Sequence, residues 1–140
     1  MTATTFGSGR ARLRAAAGPV AAAAGVGALV LGLHVRDPHV KYSWGVCPLY
    51  AVTGVYCPGC GGLRAVNDLT NLDFGAAFSS NLLVYPIAVL VVWLWLRWLG
   101  GRVGFRIPAV PRNKWLWIAV GVAIAGWTVA RNVPGSAFAP

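Results

Sequence analysis

An all-α integral membrane protein is the fold class this sequence predicts. Three observations carry that expectation. Of 140 residues, 57% are apolar and only 11% are charged, against roughly half and a quarter in soluble chains. Three apolar stretches approach the roughly 20 residues that a helix needs to cross a bilayer. The basic residues gather between those stretches instead of forming one face.

The first stretch, 15–35, reads AAAGPVAAAAGVGALVLGLHV: uncharged and alanine-rich. A cleavable leader is the rival reading, because Arg10, Arg12 and Arg14 precede it. The run is long for a leader core and no A-x-A site follows, which favours a retained helix. Gly18, Gly25 and Gly32 recur every seven residues and suit close helix packing. The second stretch, within a helix expected over 74–99, is the most apolar, with Asp73 as its N-cap and a kink expected at Pro86. The third, 115–133, is slightly short. Basic segments 1–14 and 100–114 and a tail at 134–140 complete the organisation, with a long connection at 36–73.

Charge orients this arrangement. With the N-terminus in the cytoplasm, Arg10, Arg12, Arg14, Arg97, Arg102, Arg106, Arg112 and Lys114 lie inside, leaving Arg36, Lys41, Arg64 and Arg131 outside. The expected location is a bacterial cell membrane, multi-pass and N-terminus inside. The net charge of +9 raises nucleic acid as a partner, but the scatter of the cations between apolar runs excludes it. The tryptophans at 93, 95, 98, 115 and 117 read as an interfacial belt.

The informative segment is CPLYAVTGVYCPGCGGLRA, 47–65. In an extracytoplasmic connection, Cys47, Cys57 and Cys60 are able to form a disulfide. Cys47 with Cys57 or Cys60, or Cys57 with Cys60, leaves one thiol over. The C-x-x-C turn is also half of a zinc site, with Cys47 as third ligand and His39 or His34 as a fourth. Redox exchange and buried inert thiols are the two remaining readings. A short helix is expected over 62–70, where Leu63, Val66 and Leu69 recur every third residue and Arg64 sits four residues before Asp68.

The same segment resembles a bacterial family of small membrane proteins catalogued as a domain of unknown function. The shared signature is C-P…T-G-x-x-C-P-x-C-G-G-x-R, met here by Cys47, Pro48, Thr53, Gly54, Cys57, Pro58, Cys60, Gly61, Gly62 and Arg64. Asp73, Asn81 and Pro86 fit the downstream pattern. The resemblance fixes no activity. By analogy, small proteins of this kind serve as accessory subunits of larger, including respiratory, membrane complexes. No paired carboxylates, nucleophile–base set or phosphate loop is visible, so a non-enzymatic accessory or assembly role leads. Its expected partners are the lipid bilayer and either another membrane protein or a second copy of the chain. A thiol oxidoreductase or metal-binding protein using Cys57 and Cys60 is the alternative. Transport is disfavoured, since no ionisable residue lies mid-span.

Overall fold

The computed structural model describes residues 9–136 and 138. Among them there are six helices and no strand: α1 (Gly9–Val35), α2 (Pro48–Thr53), α3 (Gly62–Thr70), α4 (Phe74–Asn81), α5 (Val84–Val103) and α6 (Lys114–Asn132). The all-helical expectation holds. The expected three spans do not: two helices, over Leu13–Val35 and Val84–Val103, are long and apolar enough to cross a membrane. Helix α6 is 19 residues long, but Lys114 opens it and Arg131 lies in its last turn. The uncharged stretch between those two cations is therefore shorter than the roughly 20 residues that a span needs.

Helices α1 and α5 pack against each other. The indole of Trp95 donates to the carbonyl of Pro19 at 2.9 Å, and Pro19 is fully buried. A β-carbon on Gly18 would meet the Trp98 ring at 3.3 Å, so the glycine makes room for the indole. Thus Trp95 and Trp98, expected as belt residues, knit the two long helices together. Gly32 lies against Trp44, whereas the middle glycine of the stripe, Gly25, faces open space.

Helices α3 and α4 form a short hairpin beside α1 and α5. Its apolar centre is small: Ala65, Ala77 and Val84, with Val66, Leu69 and Tyr85 packed around them. Buried polar side chains complete it. Asn67 donates to the carbonyl of Leu33 at 2.7 Å, and Ser80 donates to Asp68 at 2.7 Å. His34 and Thr70 meet at 3.0 Å, tying the end of α1 to the end of α3.

Asp73 caps α4 by accepting the Ala76 N–H at 2.9 Å. Where the sequence predicts one helix over 74–99, two form, separated at Leu82 and Leu83. Pro86 then falls in the first turn of α5, where the backbone N–H groups lack intrahelical acceptors anyway. The proline therefore starts a helix instead of kinking one.

Helix α6 stands apart. It makes no packed contact with another helix among the described residues, and residues 114–126 are exposed throughout. Its last turn is anchored, however. Asn132 accepts the Tyr56 N–H at 2.8 Å and donates to the Tyr56 carbonyl at 2.9 Å. The end of α6 is thus fixed to the cysteine segment.

Candidate metal centre

The cysteine segment folds as a series of tight turns, each set by local chemistry. Pro48 opens α2, supplying a helical φ where its missing N–H costs nothing. Thr53 accepts the Val55 N–H at 3.1 Å, and Gly54 ends the helix at φ 69°. Cys57 and Cys60 close a turn through Cys60 N–H to Cys57 carbonyl at 3.1 Å, immediately followed by Gly62 N–H to Gly59 carbonyl at 2.9 Å. Gly61 takes φ 76° to turn the chain into α3, a conformation costly for a side chain bearing a β-carbon.

These turns bring the three sulfurs together. The Cys47 and Cys57 Sγ atoms lie 3.6 Å apart, and those of Cys57 and Cys60 lie 3.3 Å apart. All three lie within 4.8 Å of one another. None of the disulfides that the sequence allows is present: each cysteine is a free, partly buried thiol. The turns gather all three Sγ atoms into one cluster, in which Cys57 and Cys60 are nearer to each other than Cys47 and Cys57.

Two side chains from distant helices hold this knuckle. Asn81, 2% exposed at the end of α4, donates to the carbonyls of Pro58 and Cys60, each at 3.0 Å. Its own oxygen accepts the Leu83 N–H at 2.9 Å. Arg131 in α6, 1% exposed, reaches the Pro58 carbonyl at 3.4 Å and stacks 5.3 Å from the Trp127 ring. Its Nε and one Nη find no acceptor. A buried guanidinium with free donors beside a sulfur cluster is an unbalanced positive charge, a costly arrangement unless an anion is its neighbour.

The thiols are not equivalent. The Tyr50 backbone N–H, without closing a cap hydrogen bond, holds Cys47 below the ordinary thiol range, helped by Cys60. Burial pushes Cys60 up to about 12, with Cys57 and Cys47 adding to it. Below pH 9 Cys60 therefore keeps its proton, and the stability this contributes is lost as pH rises from about 9 towards 12. Differential alkylation of the metal-free protein near pH 8 should label Cys47 faster than Cys60, because only thiolate reacts. Equal rates at the two positions would contradict this polarisation.

An open cleft of about 780 Å³ lies beside the sulfurs, with Cys47, Cys60, Lys41, Arg64, Tyr50 and Tyr56 among its walls. Tyr50 and Tyr56 stack with ring centroids 4.5 Å apart, and their hydroxyls meet at 3.3 Å. That hydrogen bond raises Tyr56 above the usual tyrosine range.

The other candidate ligands are engaged with other partners. The His39 ring sits between two carboxylates, 2.8 Å from Asp37 and 3.3 Å from the buried Asp68. The Asp37 carboxyl is held below its usual range by the His39 backbone N–H and ring. His34 is engaged with Thr70. Arg64 makes no ion pair with Asp68 among the described residues; Asp68 is taken by His39 and Ser80. The structure thus assembles Cys47, Cys57 and Cys60 and leaves both histidines outside the sulfur set.

Sequence reading missed Arg131 and Asn132 as parts of this site. The available signal was a charged and an amide side chain ending an apolar helix, a place where unpartnered polar groups are costly.

Residues 47–95 match the model of a family described as "Protein of unknown function (DUF2752)". The match covers all three cysteines and Asn81, and stops before α6. No curated protein and no solved structure matches the chain.

Proposed function

We propose that this chain is a membrane-anchored metal-binding protein whose three-cysteine centre holds a thiophilic divalent ion, zinc being the reference case. The convergence of three Sγ atoms within 4.8 Å carries the reading. Thiolates are the soft ligands that such ions select. A divalent ion on three thiolates leaves one net negative charge, and buried Arg131 lies alongside to offset it. That supplies the anionic neighbour the guanidinium otherwise lacks.

Helices α1 and α5 serve as the anchors. The distribution of arginine and lysine supports a cytoplasmic N-terminus and an extracytoplasmic cysteine loop. The full chain, purified in mild detergent under reducing conditions and incubated with zinc, is expected to retain one ion per chain by elemental analysis. Cys47→Ser, Cys57→Ser and Cys60→Ser should each lower affinity by at least about tenfold, as loss of one of three ligands removes well over 1.4 kcal/mol. Retention of zinc by all three variants, or none in the parent chain, would overturn the reading.

One observation favours a second role as an accessory or assembly subunit. Helix α6 is exposed along residues 114–126 and short for an autonomous span, yet its end is fixed at the cysteine loop. A helix of that kind crosses most readily against a protein partner, either another membrane protein or a second copy. Cross-linking from cysteines placed at Gly121 and Ala125 in native membranes tests this: a specific adduct supports it, and labelling by lipid-phase reagents alone opposes it.

A further inference from the structure

The chain supplies three sulfur ligands and engages both histidines with other partners, which bears on what completes the coordination of a four-coordinate ion. Structural zinc sites close with four protein ligands, whereas sites that react or exchange keep one position for an outside ligand. Two of the three sulfur-bearing residues, Cys47 and Cys60, line the open cleft. Its volume of about 780 Å³ falls in the range of small-molecule sites.

The cleft's charge is one-sided. Lys41 and Arg64 contribute cations to its walls, and His39, also a wall residue, is already engaged with Asp37 and Asp68. A divalent ion on three thiolates carries a single net negative charge, which Arg131 offsets, leaving Lys41 and Arg64 to face a ligand in the cleft. The cleft therefore favours an anionic ligand beside the ion. The stacked Tyr50–Tyr56 pair gives the same cleft a flat wall with hydroxyls at its edge.

We infer that the centre is open, and that its fourth position takes a small anionic thiol from the cleft. Sulfur satisfies a soft ion already held by thiolates, and carboxylates on the same molecule meet Lys41 and Arg64. Ligation forms one metal–sulfur bond, releases the thiol proton to solvent, and changes no oxidation state. This inference rests on the metal-binding reading above, and the test separates the two.

The full chain in detergent is loaded with cobalt(II), whose visible and sulfur-to-cobalt charge-transfer bands report the ligand set. Mercaptosuccinate, 2-mercaptoethanol and succinate are then titrated. Mercaptosuccinate is expected to shift the bands saturably, and about three- to tenfold more tightly than mercaptoethanol, the margin that one or two exposed ion pairs provide. Lys41→Gln and Arg64→Gln should each shrink that margin while leaving mercaptoethanol affinity and cobalt loading unchanged.

A cobalt spectrum indifferent to every added thiol would overturn the inference, since the chain or a second copy would already supply the fourth ligand. Equal affinity for the two thiols, or succinate binding as tightly as mercaptosuccinate, would overturn the anionic-thiol assignment. Failure to bind cobalt at all would instead remove the metal-binding reading itself.

Discussion

Replacing Asn81 by alanine is expected to destabilise the protein by about 2–4 kcal/mol and to free the cysteine knuckle. The amide is 2% exposed and makes three hydrogen bonds to backbone: out to Pro58 and Cys60, and in from Leu83. Truncation leaves the Cys60 carbonyl and the Leu83 N–H without partners and the Pro58 carbonyl with only the long Arg131 contact, and a buried polar group so stranded costs about 1–3 kcal/mol. Partial water access to the turn brings the total below the full sum. Asn81→Asp separates the contributions. It keeps the acceptor for Leu83 but sets a carboxylate against two carbonyl oxygens, so it should be worse than alanine at neutral pH. Its penalty should shrink at acidic pH as the carboxyl takes a proton and regains a donor. Thermal unfolding in detergent measures the stability, and alkylation of Cys57 and Cys60 reports the turn. Unfolding midpoints unchanged by both substitutions would show that the turn holds itself.

Asn81 also shows what was legible in the sequence. As a polar residue leading into an apolar helix, it called for protein, water or the headgroup zone around it, and with Asp73 and Pro86 it fitted the family pattern. Which groups it would hold was not readable, because those carbonyls lie 21 and 23 residues away in sequence. Local chemistry was easier to read: the α3 periodicity, the Asp73 cap and the turn glycines all act within a few residues. Helix α5 was legible from composition, but its separation from α4 was not, since Pro86 reads as a kink until a helix start is placed just before it. The cysteine signature announced a cluster without deciding between bond and ligand. That choice rests on where three sulfurs point, which depends on two turns and on the remote clamps Asn81 and Arg131. Arg131 was the hardest. Counted only as an outside charge at the end of the third stretch, it reaches a carbonyl 73 residues back, a distance no local pattern encodes.

Arg131 therefore carries the prediction in which stability and binding part company. In the metal-free protein its guanidinium is buried, with one long hydrogen bond to Pro58, a stack on Trp127 and two idle donors. Methionine at this position keeps apolar bulk and removes a charge that no carboxylate among the described residues neutralises. Arg131→Met is thus expected to leave metal-free stability unchanged or to raise it by about 1–2 kcal/mol, as replacing buried charges with packed apolar groups often does. Metal affinity should move the opposite way. Removing the outer cation from an anionic three-thiolate centre should weaken zinc binding by about 10- to 100-fold, the usual cost of losing a group that supports metal ligands. Arg131→Lys keeps the charge but loses the planar fork, and should recover part of that affinity. Thermal unfolding of the metal-free chain and zinc titration against a competing chelator read the two effects independently. If stability and affinity fall together, Arg131 acts as a strut for the Pro58 turn. If affinity is untouched, charge compensation at the sulfur centre is excluded. A fall in affinity at undiminished stability is the combination that a guanidinium poised for a negatively charged metal centre requires.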